Sequence, residues 1–332
     1  MYFSDYLYKT NFGQAIVGDA IKLMKKIPDQ SVDLAITSPP FALQRQKEYG
    51  NKSQAEYVDW LLTFTIEVKR ILKDSGSFVI DLGGAYQKGF PIRSLYNYKF
   101  LVDVCEKQNW FLAEEFFWHN PAKLPSPIEW VNKRKIRAKD SVNTVWWLSK
   151  SQNPKANISN VLVEYSERMK KLMKDKENYY KPKKRPSGHD IGNGFGNNNG
   201  GAIPSNLLQI PNTESNSQYL RLCKEYEVKS HPARFPSKLP EFFIKFLTEP
   251  SDLVLDIFAG SNTTGWVAEQ FYRNWLAFDN NHTYLASSVF RFLNGKELNN
   301  IYPLIANSKT PNLDLKLNQS LFGEQKSKYK IK

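Results

Sequence analysis

Short apolar runs, each stopped by a turn residue and separated from the next by a stretch of helical period, restrict what this chain can fold into. Ala15-Ile16-Val17 stops at Gly18-Asp19, Val32-Asp33-Leu34-Ala35-Ile36 at Thr37-Ser38-Pro39-Pro40, and the run from Ser77 to Leu82 at Gly83-Gly84. Leu253 to Phe258 stops at Ala259-Gly260, and Trp275-Leu276-Ala277-Phe278 at Asp279. Between them, Ala55 to Leu72, Leu101 to Gln108, Leu239 to Leu247 and Thr264 to Phe271 carry apolar residues at helical spacing. Runs with little polar alternation are what strands covered on both faces look like. The pattern therefore predicts an α/β fold on a mostly parallel, doubly wound sheet. Glu114 to Trp118 and Val142 to Leu148, rich in aromatic and β-branched residues, predict an antiparallel edge pair joined by the basic connection Asn120 to Asp140.

The chain's 332 residues are enough for one large α/β domain with an inserted module. Residues 151–230 supply the candidate insert. A charged, helix-like run from Val161 to Glu177 leads to Lys181-Pro182-Lys183-Lys184-Arg185-Pro186 and then to the Gly/Asn tract Gly192 to Gly201. That composition cannot bury a core; it reads as a simple linker, a loop, or a segment that orders against a partner. Charge is concentrated beside it. The net charge is +13, and the stretch from Lys123 to Arg185 holds 17 basic and 6 acidic residues, a distribution that fits a polyanionic partner. Trp130, Trp146, Trp147, Tyr165, Tyr179 and Tyr180 lie in the same stretch and could stack on bases, although the tryptophans read better as core. No apolar run approaches the roughly 18 residues of a membrane helix, and the N-terminus lacks a signal-peptide layout. Cys105 and Cys223 form no pair motif, so a cytoplasmic protein with reduced thiols is expected.

Two motifs carry chemistry. In Val254-Leu255-Asp256-Ile257-Phe258-Ala259-Gly260-Ser261-Asn262-Thr263-Thr264-Gly265 a strand runs through small residues into a helix, the usual place for a nucleotide-like ligand. Gly260 and Gly265 have the spacing of a phosphate loop, but Trp266-Val267 stands where Lys-Ser/Thr would be needed, which argues against an NTPase. Asn262 occupies the second glycine position of a dinucleotide fingerprint, where a pyrophosphate would need close approach. A ligand without phosphates fits better. Twenty-three residues after Asp256, Asp279 closes the next strand, where an acid can bind ribose hydroxyls. Taken alone, the segment could still be a plain strand–turn–helix.

The other motif is Thr37-Ser38-Pro39-Pro40-Phe41. Successive prolines fix the backbone and remove two amide donors, leaving strand-end carbonyls to accept hydrogen bonds. Phe41 offers a flat face and Ser38 an accepting hydroxyl. Those parts suit a flipped-out base, its ring stacked on Phe41 and its amino group held by the Ser38 hydroxyl and the Pro39 carbonyl. The bland alternative is a Pro-Pro turn after a strand.

Together the motifs resemble the amino methyltransferases of DNA restriction-modification systems, in the permuted arrangement called the beta class. There a Ser/Asp-Pro-Pro-aromatic motif precedes the target-recognition region and the cofactor glycine motif comes last. Thr37 to Phe41 matches the former and Asp256 to Gly265 the latter; His231 to Pro240 resembles the segment leading into the cofactor motif, and Gly18-Asp19 the adenine-contacting turn. The resemblance implies a circularly permuted, Rossmann-like S-adenosylmethionine-dependent methyltransferase fold. Residues 12–150 would form the catalytic half, 151–230 the target-recognition region, 231–298 the cofactor-binding half and 299–332 a polar tail. By position, Ser38, Pro39, Pro40 and Phe41 would handle the base. Thr37, Asp256, Phe258, Gly260 and Ser261 would lie around the methionine part of S-adenosylmethionine, Asp279 at its ribose and Asp19 at its adenine. Two departures stand out: family members often have Gly where Asn262 is, and the ribose acid is often Glu rather than Asp.

Ser-Pro-Pro in that family implies transfer to N4 of cytosine in double-stranded DNA, with adenine N6 as the alternative. RNA, protein amides or a purely binding role rank lower, because the motif order and the basic insert favour DNA. Carbon-5 methylation would need a cysteine nucleophile, and neither cysteine follows a proline in a catalytic-looking loop. In-line displacement from a sulfonium requires alignment and exclusion of water rather than a catalytic histidine. His119, His189, His231 and His282 therefore read as structural or DNA-contacting, and no metal-ligand cluster is evident. Lys133, Arg134, Lys135, Arg137, Lys183, Lys184 and Arg185 are the phosphate-contact candidates. Sequence readout is expected from polar residues of the Gly/Asn tract or of Arg185 to Asp190, His189 among them. A restriction endonuclease acting on the same site is the implied protein partner.

Overall fold

The structure, a computed structural model, describes residues 3–41, 54–175, 186, 196–213 and 217–317. They fall into two compact units, one formed by the chain up to Lys155 together with the chain from Asn206 onward, the other by Ala156–Ser205. The strands of the large unit are β1 (Tyr8–Lys9), β2 (Gly13–Val17), β3 (Val32–Thr37), β4 (Leu72–Gly83), β5 (Phe111–His119), β6 (Val142–Ser149), β7 (Leu207–Gln209), β8 (Leu253–Asp256), β9 (Asn274–Asp279) and β10 (Leu313–Asp314). They form one sheet in the order β10-β1-β2-β9-β8-β3-β4-β6-β5-β7. The central run from β2 through β4 is parallel, and β6 is antiparallel to both β4 and β5.

The expected antiparallel pair is thus present, with one correction. β7 adds in parallel outside β5, so β5 is not the edge. With only three residues, β7 is too short to show a period.

Side chains alternate across the sheet, as a period of two requires. Trp146 and Leu148 of β6 join Phe78, Ile80, Phe100, Val104, Tyr57 and Leu61 in the core beneath α2 (Gln54–Ile71) and α3 (Tyr96–Gln108). Trp147 instead meets Phe246 at 5.2 Å between ring centres, and Phe116 meets Phe243 at 5.1 Å. Both partners belong to the helix Lys238–Leu247. The tryptophans of β6 are core, as expected: Trp146 is fully buried and Trp147 nearly so. Cys105 and Cys223 are free thiols.

The compact insert is shorter than 151–230 at both ends, for physical reasons. Lys155 is tied to the large unit by an ion pair to Asp252 at 2.5 Å. Beyond Asn206 the chain forms β7 and then the helix Gln218–Glu225, which buries Tyr219, Leu222 and Cys223. The insert itself holds the helix Glu167–Lys174, capped by Ser166, and one antiparallel bridge between Val163 and Ala202. The chain after 298 is also more than a polar tail. The helix Gly295–Asn307 runs into β10, where Asp314 accepts from the Tyr6 hydroxyl at 2.7 Å, and Leu315 and Leu317 are buried. Among the described residues no helix is long and apolar enough to cross a membrane.

Candidate active site

β3 and β8 are neighbours, yet the chain leaves β3 toward β4 on one side and β8 toward β9 on the other. A parallel sheet opens a crevice at such a switch point, outside the carboxyl ends of the strands. The Thr37–Phe41 segment leaves β3 there, and the Asp256–Gly265 turn leaves β8. The two motifs, more than two hundred residues apart in sequence, are joined directly: the Thr37 hydroxyl donates to Asp256 at 2.7 Å. Asp256 also accepts from the Thr264 hydroxyl at 2.6 Å and the Phe258 amide at 3.1 Å. Burial pushes this carboxyl up to about 6, against the pull of those donors. With its oxygens so engaged, Asp256 is a strut between the two motifs.

On the β4 side, the Ser38 hydroxyl donates to Asp81 at 3.0 Å, and the Asn143 side-chain amide donates to the other Asp81 oxygen at 3.0 Å. Asp81 is 4% exposed, and burial raises its pKa to about 6, while Asn143, Ser38 and the nearby charge of Lys123 hold it lower. A serine that gives its proton to a buried carboxylate turns its oxygen lone pairs outward, as acceptors. The Phe41 ring lies over Gly83: a Cβ there would fall 2.4 Å from it. The Tyr96 hydroxyl donates to the Gly83 carbonyl from behind. Ser38 and Phe41 thus both stand against the end of β4. Asp81 and Asn143 were missed, although a carboxylate within the apolar run Phe78 to Leu82 was a signal.

The other half of the crevice follows the β8 and β9 ends. Gly260 has φ 52°, and a Cβ on it would stand 3.0 Å from the His231 ring, so a side chain here would strain the backbone and press on that ring. Its amide donates to Asp279 at 2.7 Å, and the Asn281 amide donates to the second Asp279 oxygen at 2.8 Å. Asp19, at the neighbouring β2 end, caps the helix Ala20–Met24 and is exposed. Phe258 is half-buried against Trp60 and Phe64. Asp19, Phe258, Gly260 and Asp279 therefore stand along one edge.

Ser261 does not present its side chain there. It is 3% exposed, and the Arg291 guanidinium donates to its carbonyl at 2.7 Å and to its hydroxyl at 3.0 Å, so it holds the turn. Asn262 preserves the turn where a glycine is usual. It adopts the left-handed conformation (φ 51°, ψ 45°), and its side chain caps the next helix at the Gly265 amide, 3.0 Å away.

The β5–β6 connection rises at the same edge and carries Lys133, Arg134 and Arg137, all exposed. Lys133 and Arg134 share Glu129, at 3.3 and 3.4 Å. Arg137 donates to the carbonyls of Pro91 at 3.1 Å and Ile136 at 2.7 Å, so part of its role is to brace the loop. Lys183, Lys184, Arg185 and His189 lie outside the described residues. No group of side chains suited to hold a metal occurs among the described residues.

A parallel sheet with a paired strand-end Ser-Pro-Pro-Phe and glycine turn at its switch point defines the class: the S-adenosylmethionine-dependent methyltransferase fold. The chain belongs to the N6/N4 DNA methylase family, which it matches over residues 32–290. It is 57% identical to the type II methyltransferase M.PvuII of Proteus hauseri over 311 residues, 92% of this chain and 93% of that protein. A solved structure of PvuII DNA methyltransferase (cytosine-N4-specific) superposes with a TM-score of 0.76 at 48% identity, covering 95% of this chain and 99% of the other. The Thermus thermophilus protein TTHA0409, solved with S-adenosyl-L-methionine, shares the fold at a TM-score of 0.51 and 18% identity, covering 91% of this chain and 97% of the other.

Proposed function

We propose that this DNA methylase transfers a methyl group from S-adenosylmethionine to N4 of cytosine in double-stranded DNA. The observation that carries the reading is the Ser38–Asp81 hydrogen bond at the switch point, beside the Phe41 ring. The 48% identity to the solved PvuII DNA methyltransferase, which is cytosine-N4-specific, supports cytosine as the base.

The residues fit the cofactor. Gly260 forms a cradle that a Cβ would fill, and Asp279 and Asp19 stand at adjoining strand ends suited to hydroxyl and amino groups. Phe258 would lie beside the methionine part. Bound there, S-adenosylmethionine would supply a methyl group activated by a positively charged sulfur, which can leave as a neutral thioether.

The protein's share is placement and proton handling. Phe41 stacks the flipped base, while Ser38 Oγ and the Pro39 carbonyl accept the two amine hydrogens. Once methylated, the nitrogen is cationic; its N–H bond breaks toward Ser38 Oγ as the Ser38 proton passes to Asp81. Asn143 holds the carboxylate in line. Because Asp81 sits near 6, it is mostly ionised at neutral pH and ready to accept.

Lys133, Arg134 and Arg137 would meet phosphates of the flanking duplex, as would Lys183, Lys184 and Arg185, and residues 151–230, His189 among them, would read the sequence. The protein would act in the cytoplasm beside an endonuclease of the same specificity. The test is incubation with S-adenosylmethionine and duplex DNA, digestion to nucleosides and mass spectrometry. N4-methylcytosine is expected; N6-methyladenine would overturn the base assignment, and the absence of any methylated nucleoside would overturn the activity.

A further inference from the structure

The connection between β5 and β6 carries an unusual side chain beside the base site. Leu124 is 81% exposed, the most exposed large hydrophobic among the described residues. Among the described residues nothing covers it. Yet it sits on a stiff stretch, Asn120-Pro121-Ala122-Lys123-Leu124-Pro125-Ser126-Pro127, in which three prolines restrict the backbone. Hydrogen bonds brace the stretch on all sides. The Asn120 amide donates to Ser141 O at 2.8 Å, and the Asp140 amide to Ser126 O at 3.0 Å. Lys139 Nζ donates to Pro121 O at 3.1 Å and to Lys123 O at 3.2 Å.

The stretch is also placed against the site. It springs from the carboxyl end of β5, whose His119 pairs with Val142, next to the Asn143 that holds Asp81. Lys123, adjacent to Leu124, is the cation whose charge acts on Asp81. A rigid loop holding a bare leucine in water has no value for folding. It has value beside a pocket that takes a base out of a duplex, because the departing base leaves an apolar gap in the stack that a leucine can fill. Lys123, Lys133 and Arg134, on the same connection, suit the phosphates flanking such a gap.

We propose that Leu124 is the wedge that enters the duplex at the position vacated by the target base, a positioning residue for the transfer. The inference rests on the base-flipping reading of Ser38 and Phe41. It predicts a dependence on base pairing that a general DNA contact would not show. An unpaired target leaves the stack cheaply, so a wedge matters less to it.

The experiment compares the parent with Leu124→Ala and Leu124→Met on two duplexes containing the site methylated in plasmid DNA. One duplex is fully paired; in the other, the target base faces an abasic position. Single-turnover methylation by Leu124→Ala is expected to fall roughly tenfold on the paired duplex and to return close to parent on the abasic one. Leu124→Met should keep most of the parent rate on both. Melting temperature should be unchanged, since the side chain is in solvent. An unchanged rate on the paired duplex, or equal losses on both, would overturn the wedge. Ser38→Ala, run alongside, separates the two ideas. Its loss of rate on both duplexes keeps the base site whatever Leu124 does, whereas an active Ser38→Ala would remove the base site itself.

Discussion

Asp81 concentrates the chemistry of this site in one carboxylate whose environment works against its charge. Burial raises its pKa from the ordinary 3.8 to about 6, and a protonated Asp81 cannot take the Ser38 proton. The methylation rate should therefore fall as pH drops through about 6 and level off above it, which a single-turnover pH profile would reveal. The stability sign is the opposite. The folded state holds this proton more tightly than the unfolded chain, so stability is lost as pH rises between about 4 and 6. Asp81→Asn should accordingly melt no lower than the parent at pH 8 while losing about two orders of magnitude in rate. A variant that melted well below the parent would mean the carboxylate is structural. Asn262 makes a different argument. Ala at that position loses both the helix cap and a side chain tolerant of the left-handed conformation, about 2 kcal/mol, whereas Gly keeps the conformation and loses only about a few tenths of a kcal/mol. Denaturant unfolding of Asn262→Ala and Asn262→Gly would give the order.

At the scale of elements, β4 connects the chemistry to the fold. Its Asp81 faces Ser38 and its Gly83 lies under Phe41, so one strand end sets both the proton acceptor and the stacking face. A methyl on Gly83 would stand 2.4 Å from the Phe41 ring and must displace it. Gly83→Ala should cut the methylation rate by at least about tenfold with little change in melting temperature; full activity would show that the ring does not stack the base. The sequence made Ser38 and Phe41 legible because they share a contiguous motif. Asp81 escaped because its partners come from other elements, 43 residues back at Ser38 and 62 residues on at Asn143. The inward turn of the Ser261 side chain was not legible for a related reason. Its inward orientation depends on Arg291, which lies 30 residues further along the chain.

For the whole molecule, the net +13 should appear as a steep salt dependence of DNA binding. Replacing Lys133 and Arg134 by Ala should each lower the slope of log affinity against log salt by about one, measured on the same duplex over several salt concentrations. An unchanged slope would confine those charges to their ion pairs with Glu129. The C-terminal strand is structural. Ending the chain after Asn312 removes buried Leu315 and Leu317 and the Asp314 bonds to Tyr6 and Lys9, at 2.7 and 2.8 Å. The lost apolar burial is worth roughly 4 kcal/mol, a fall in melting temperature of about 6 °C.

The sequence alone determined the layered α/β architecture, the order of the two motifs and the residues inside each, because local periodicity and contiguous turns are written within a few residues of one another. Tertiary structure alone decided which buried carboxylate faces Ser38, which way Ser261 turns, how β7 and β10 extend the sheet, and where Leu124 stands. Each of those depends on atoms brought together across long stretches of chain, where desolvation and hydrogen-bond geometry, rather than spacing, choose the partner.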